Sequence, residues 1–116
     1  MLVTERRGLL RIVADGKVQR RPVDGLPRNI QPGGQGGLLD VVLHPNFAKN
    51  RWVYLSYAGR GGGGVGTEVV RARFQDHRLT QVETIFRALP KSQSRRHFGS
   101  RLVFSSDGYL YITLGD

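Results

Sequence analysis

The sequence predicts an all-β chain, on three observations. Short apolar runs rich in Val, Ile, Leu, Tyr and Phe alternate with clusters of Gly, Pro, Asp and Asn, the pattern of strands separated by turns. Helical periodicity is scarce. A strand–turn–strand design also occurs twice along the chain, and an internal repeat is the first sign of a larger repetitive architecture.

Taken in order, strands are predicted over residues 1–4, 9–13 and 18–22, and stronger ones over 38–43, 52–57, 68–74, 81–86, 101–104 and 109–114. Asp15-Gly16 and Asp107-Gly108 predict tight hairpin turns, because glycine accepts positive φ where other residues are strained. Residues 61–64 are all glycine and predict a flexible connection between two strands. A phosphate-binding role for that run needs an adjoining helix N-terminus, and no helix is predicted there.

The repeat sets the architecture. Leu38-Leu39-Asp40-Val41-Val42-Leu43-His44-Pro45-Asn46 followed by Trp52-Val53-Tyr54-Leu55-Ser56-Tyr57 is one strand, a turn and a second strand. Arg101-Leu102-Val103-Phe104-Ser105-Ser106-Asp107-Gly108 followed by Tyr109-Leu110-Tyr111-Ile112-Thr113 repeats the design with a shorter turn. Two further strands lie between the copies, giving four per unit and a period of about 60 residues, as in a β-propeller blade. The chain then holds the end of one blade (1–25), a complete blade (35–88) and the start of a third (97–116). About two blades cannot cover their own apolar faces or pair their edges, so the chain is expected to be a fragment of a longer one.

Composition excludes several functions. The 116 residues allow one modest domain, and the absence of cysteine removes disulfide scaffolds, zinc knuckles and cysteine nucleophiles. At 39 % hydrophobic residues the chain is too apolar for disorder, yet no run approaches the roughly 20 apolar residues that cross a bilayer. The first residues, Met1-Leu2-Val3-Thr4-Glu5-Arg6-Arg7, lack the apolar core of a secretory signal. A formal charge of +9 invites a nucleic-acid reading. The basic residues, however, are spread along the chain beside apolar neighbours, and no helix-turn-helix, RRM or zinc-finger pattern accompanies them. Specific nucleic-acid recognition is not expected.

Few motifs can carry chemistry. Gly33-Gly34-Gln35-Gly36-Gly37 precedes a strand rather than a helix, so it is neither a Walker loop nor a dinucleotide fingerprint. It reads either as a permissive loop or as a device that projects the Gln35 amide toward a ligand. His44, in His44-Pro45-Asn46-Phe47, reads as packing a corner, and His77 as an exposed hairpin residue without function. His97 differs. It lies just before the third unit's first strand, and Asp116 follows the second strand of that hairpin. In an antiparallel pair the start of one strand and the end of the next share one end. That brings imidazole and carboxylate within reach, and a carboxylate on one ring nitrogen supports a general base at the other. A surface histidine beside arginines is the competing reading.

Several segments together resemble one family, the soluble quinoprotein glucose/sorbosone (aldose sugar) dehydrogenases that use pyrroloquinoline quinone (PQQ). They are Gly34-Gln35-Gly36-Gly37-Leu38-Leu39-Asp40-Val41, Leu43-His44-Pro45-Asn46-Phe47, Asn50-Arg51-Trp52-Val53-Tyr54-Leu55-Ser56-Tyr57, His97-Phe98-Gly99-Ser100-Arg101-Leu102-Val103-Phe104 and Asp107-Gly108-Tyr109-Leu110-Tyr111-Ile112-Thr113-Leu114-Gly115-Asp116. In order and spacing they span nearly the whole chain. The resemblance implies a six-bladed propeller of which this chain is the N-terminal third.

It also implies roles. His97 matches the base that takes the proton from the sugar's anomeric hydroxyl as hydride passes to the quinone, and Asp116 the carboxylate that orients it. Gln35 matches a residue that hydrogen-bonds the sugar. Arg96 stands where some members carry an acidic sugar-contacting residue, which bears on sugar preference. The basic side chains that clamp PQQ and the carbonyls that hold calcium are implied to lie downstream, so the chain alone is expected to be inactive. An aldose substrate, a dye or redox-protein electron acceptor, and a periplasmic or secreted location follow from the same resemblance. The alternative is a noncatalytic propeller, a scaffold or carbohydrate-binding module.

Overall fold

The computed structural model describes residues 1–93 and 98–115. Their strands fall into three antiparallel sheets that follow one another in sequence. The first holds β1 (Leu2–Glu5), β2 (Leu9–Ala14) and β3 (Lys17–Val18). The second holds β4 (Leu38–Leu43), β5 (Trp52–Gly61), β6 (Gly64–Gln75) and β7 (Arg78–Arg87), in that spatial order. The third pairs β8 (Gly99–Phe104) with β9 (Leu110–Leu114). A short helical turn, α1 (Phe47–Asn50), links β4 to β5.

Tight turns fix the registers. Ala14 pairs with Lys17, Gly61 with Gly64 and Gln75 with Arg78, leaving two residues in each connection. Those residues, Asp15 and Gly16, Gly62 and Gly63, Asp76 and His77, all have positive φ, as the primed turns that match strand twist require. The glycine run expected to be a flexible connection is therefore a defined hairpin tip, and β5 and β6 run four and four residues past the segments predicted for them at that end. The Asp107-Gly108 hairpin is wider: Gly108 N–H donates to Ser105 O at 3.1 Å and Ser105 N–H to Tyr109 O at 2.8 Å. The third predicted strand, 18–22, is cut short at Val18. Pro22 cannot donate to a ladder, and the chain turns instead to bury Val23.

The second sheet is the centre of the molecule. On one side Val53, Leu55, Tyr57, Val70 and Ala72 pack on Leu10 and Val23 of the first unit. On the other, Tyr54 and Val69 pack on Leu102, with Trp52, Phe104 and Ile112 at the margin. β5 is buried on both faces because its odd residues serve one packing and its even residues the other, as strand alternation dictates. At Gly37 (φ 98) the backbone passes so close to the first sheet that an added Cβ would lie 1.7 Å from Arg6 O. Only glycine fits there, and Leu38 N–H donates to the same carbonyl at 3.1 Å.

Candidate active site

β4 and β8 lie side by side and point the same way. Asp40 Oδ2 accepts the Leu102 N–H at 2.8 Å, and further along His44 meets the Phe104 ring edge-on at 5.5 Å between centroids. The loop leading into β4 and the chain leading into β8 therefore emerge at one end of the sheets. Gly99 pairs with Leu114, so the end of β9 returns to that end as well. A Cβ on Gly99 would lie 2.8 Å from Gly115 N, which measures how closely the two backbones approach.

Gln35 sits at this end, exposed, in a turn closed by Gly36 N–H to Gly33 O at 2.9 Å. Gly34 supplies the positive φ of 56 that the turn needs before Gln35. Arg96, His97 and Asp116 lie outside the described residues. The residues on either side of 94–97 are firmly placed. Upstream, Ser92 exchanges both backbone hydrogen bonds with Val65, at 2.7 and 2.9 Å, and Lys91 Nζ donates to Glu68 Oε2 at 2.6 Å. Downstream, Thr67 Oγ1 donates to Phe98 O at 3.0 Å. The chain thus leaves β6 at Val65 and rejoins it at Thr67, positions about 7 Å apart along a strand.

Two polar groups hold these anchors. Glu68 is 2 % exposed and its partner Lys91 7 % exposed. Burial pushes the Glu68 carboxyl up, but hydrogen bonds from Lys91, Asn29 and Tyr57 outweigh it and hold the group below the usual carboxylate range. Tyr57 Oη donates to Glu68 Oε1 at 3.0 Å; burial first, and then the neighbouring charge, push that phenol up. The second group is a set of hydroxyls. Ser56 Oγ accepts the Asp40 N–H at 3.1 Å and donates to Ser100 O at 2.5 Å. Ser100 Oγ lies 3.0 Å from both Thr67 Oγ1 and Phe98 O. Gly99 and Ser100 both have positive φ, 65 and 77. For a serine that conformation costs on the order of 1–3 kcal/mol and persists only where its surroundings enforce it.

Asp40, Ser56, Thr67 and Glu68 were not singled out by motif or spacing. For Asp40 and Ser56 a signal is present: each is a polar residue interrupting an apolar strand, as in Leu38-Leu39-Asp40-Val41-Val42-Leu43, and polar groups there are retained only with partners. Thr67 and Glu68 follow Gly64-Val65-Gly66 and carry no such signal. The other histidines lie elsewhere. His44 packs its corner, stacked on Tyr54 at 6.3 Å and accepting the Asn46 N–H through Nδ1 at 3.0 Å. His77 occupies the β6–β7 turn, 3.2 Å from Arg21 O.

Among the described residues, no group of three His, Cys, Asp or Glu side chains could hold a metal ion. Two cations at this end are already engaged: Arg60 bonds Ile30 O at 3.0 Å and Arg28 O at 3.1 Å, and Lys91 is committed to Glu68. No helix among the described residues is long and apolar enough to cross a membrane.

Sequential antiparallel sheets packed face to face, with β4 and β8 parallel and the loops before them gathered at one end, are the build of a β-propeller. Known proteins agree. The sequence profile described as Glucose / Sorbosone dehydrogenase matches residues 1–116. The chain is 46 % identical over 119 residues to aldose sugar dehydrogenase YliI of Escherichia coli, covering all of this chain and 32 % of that protein. The crystal structure of the soluble aldose sugar dehydrogenase from Escherichia coli in the apo-form superposes with a TM-score of 0.91 at 46 % identity, over 98 % of this chain and 33 % of that one. The PQQ-bound aldose sugar dehydrogenase from Streptomyces coelicolor superposes at 0.81 with 27 % identity, over 98 % of this chain and 34 % of that one. Human Hedgehog-interacting protein is 30 % identical over 136 residues, covering all of this chain and 19 % of that protein. The chain belongs to the Glucose / Sorbosone dehydrogenase family. It spans about a third of the length of the sugar dehydrogenases it matches.

Proposed function

We propose that this chain is the N-terminal part of a PQQ-dependent sugar dehydrogenase that oxidises the anomeric hydroxyl of aldoses to lactones. The observation that carries the reading is the Gly99↔Leu114 pairing, which brings together the stretches of chain beside His97 and Asp116 within a sequence matched by the family along its whole length. His97 takes the proton of the anomeric hydroxyl. Asp116 fixes the imidazole tautomer and supports the cation that forms. Gln35 hydrogen-bonds the sugar from its exposed turn, and Arg96 biases which sugar is accepted. Bound PQQ supplies the hydride acceptor; its ligands and those of calcium belong to the rest of the fold, beyond this chain's described residues.

The blades run to residue 25, over 35–88 and from 97 onward in a six-bladed ring. The far face of the third sheet fits this, since Val103 and Tyr111 are 51 % and 59 % exposed where another blade would cover them. A dye or redox protein takes the electrons, and the compartment is the periplasm or the exterior. The isolated chain is inactive with PQQ, calcium, an aldose and a dye acceptor; turnover by it would sink that part of the reading. In the full-length enzyme, His97→Gln lowers kcat by at least about a hundredfold, within the range of general-base loss, while PQQ titration stays near normal. Retained turnover removes His97 from the mechanism. It would favour the second reading, a noncatalytic β-propeller scaffold or carbohydrate-binding module; one relative, Hedgehog-interacting protein, is named for an interaction rather than a reaction.

A further inference from the structure

We propose that Ser56 and Thr67 are positioning residues for His97, acting through the backbone of Phe98 and Ser100. The inference rests on the reading of His97 as the base. Both hydroxyls come from the middle of the second sheet, from β5 and β6, and both are buried, as is Ser100. Neither is needed to complete its own ladder. They reach across to the neighbouring unit, spanning 44 residues of sequence from Ser56 to Ser100 and 31 from Thr67 to Phe98.

What they grip is unusual backbone. Gly99 and Ser100 both stand at positive φ, and the β8–β9 register shifts between Gly99 and Leu102. Gly99 pairs with Leu114, but regular pairing is interrupted from there to Leu102. The hydroxyls hold the backbone on either side of Gly99. Thr67 holds the Phe98 carbonyl, one peptide from His97, and Ser56 holds the Ser100 carbonyl. Ser56 is tied in turn to Asp40 N–H, and Asp40 Oδ2 to Leu102 N–H. The strained bulge is thus gripped at Phe98, Ser100 and Leu102 from the adjacent unit. Side chains are held productively only when the backbone beneath them is, and misplacement by about an ångström can cost a hundredfold in rate.

The test uses the full-length enzyme loaded with PQQ and calcium. Thr67→Val keeps the shape and removes the hydroxyl; Thr67→Ser restores it. Thr67→Val should lower kcat about tenfold or more with KM and PQQ titration little changed, and Thr67→Ser should recover most of it. In a His97→Gln background, Thr67→Val should add nothing, because a residue acting only through His97 has nothing left to position. In the quinone-free enzyme, the His97 ring resonances should move in Thr67→Val and return in Thr67→Ser. Ser56→Ala provides a second variant should Thr67→Val fail to fold, with the same loss of kcat and the same lack of effect in the His97→Gln background. The proposal is overturned if the hydroxyl-deleted variant keeps kcat within twofold, or lowers it equally without His97. Should His97→Gln alone retain turnover, the base assignment fails and takes the positioning role with it. A dead His97→Gln beside an active Thr67→Val sinks the positioning role alone.

Discussion

The second sheet joins its two neighbours by different means. Toward the first sheet it presents Val53, Leu55, Tyr57, Val70 and Ala72, an apolar face with hydrogen bonds at its margins, Thr4 Oγ1 to Leu39 O at 2.8 Å and Leu79 N–H to Asp24 O at 2.8 Å among them. Toward the third it offers a smaller apolar cluster and a set of directional bonds from Asp40, Ser56 and Thr67. Burial is strong but indifferent to orientation, whereas hydrogen bonds are modest in net energy and exacting in geometry. The first junction therefore rests mainly on burial, and the second leans more on bonds made by buried side chains. The directional junction is the one beside the candidate site.

Neighbouring residues of β5 can break this contrast. Leu55→Ala empties the apolar junction and should cost about 2–5 kcal/mol, read as a lower denaturation midpoint of the full-length protein, with kcat per folded molecule unchanged. A loss of kcat in that variant would show that the two junctions are not separable. Ser56→Ala, one residue along, strips a donor from a buried carbonyl and should cost about 1–3 kcal/mol of stability. Its kcat should fall where that of Leu55→Ala does not. Glu68→Gln leaves the buried Lys91 ammonium without its counter-charge, a strong loss of stability, and it carries a pH signature. The folded carboxyl lies below the usual carboxylate range, so its stabilisation is present above the unfolded value and is lost as pH falls through the lowered folded one. Melting temperatures followed from pH 6 to pH 3 should show an acid-side drop in the parent that is shallower in Glu68→Gln. Parallel curves would mean that Glu68 gains nothing from its partners.

Much of this was legible in the residues. The strands at 38–43 and 101–104 are legible as short apolar runs between turn residues, and Asp15-Gly16 by its turn chemistry. The extensions of β5 and β6 did not, because Ala58-Gly59-Arg60-Gly61 and Gly64-Val65-Gly66-Thr67 have little strand propensity of their own. They pair because a two-residue turn at Gly62 and Gly63 locks the register and every following residue inherits it. α1 is one turn, too short to carry a periodic signal. For the site, motif order marked Gln35, His97 and Asp116. The hydroxyl grip stayed hidden because its partners are tens of residues apart, and a serine in an apolar strand does not announce which distant carbonyl it will meet.

The two-sided burial of β5 has a consequence for how its gene can change. Deleting or inserting one codon anywhere between Val53 and Tyr57 would rotate all following side chains to the opposite face. Leucine and tyrosine would then confront the polar grip while serine faced the apolar junction. Both contacts would fail together, although the composition of the strand had scarcely altered. At the glycine tip a few residues away, where added atoms at Gly62 and Gly63 meet nothing within 4 Å, length can drift freely. Insertions and deletions among relatives should therefore collect at the tip and be purged from the strand.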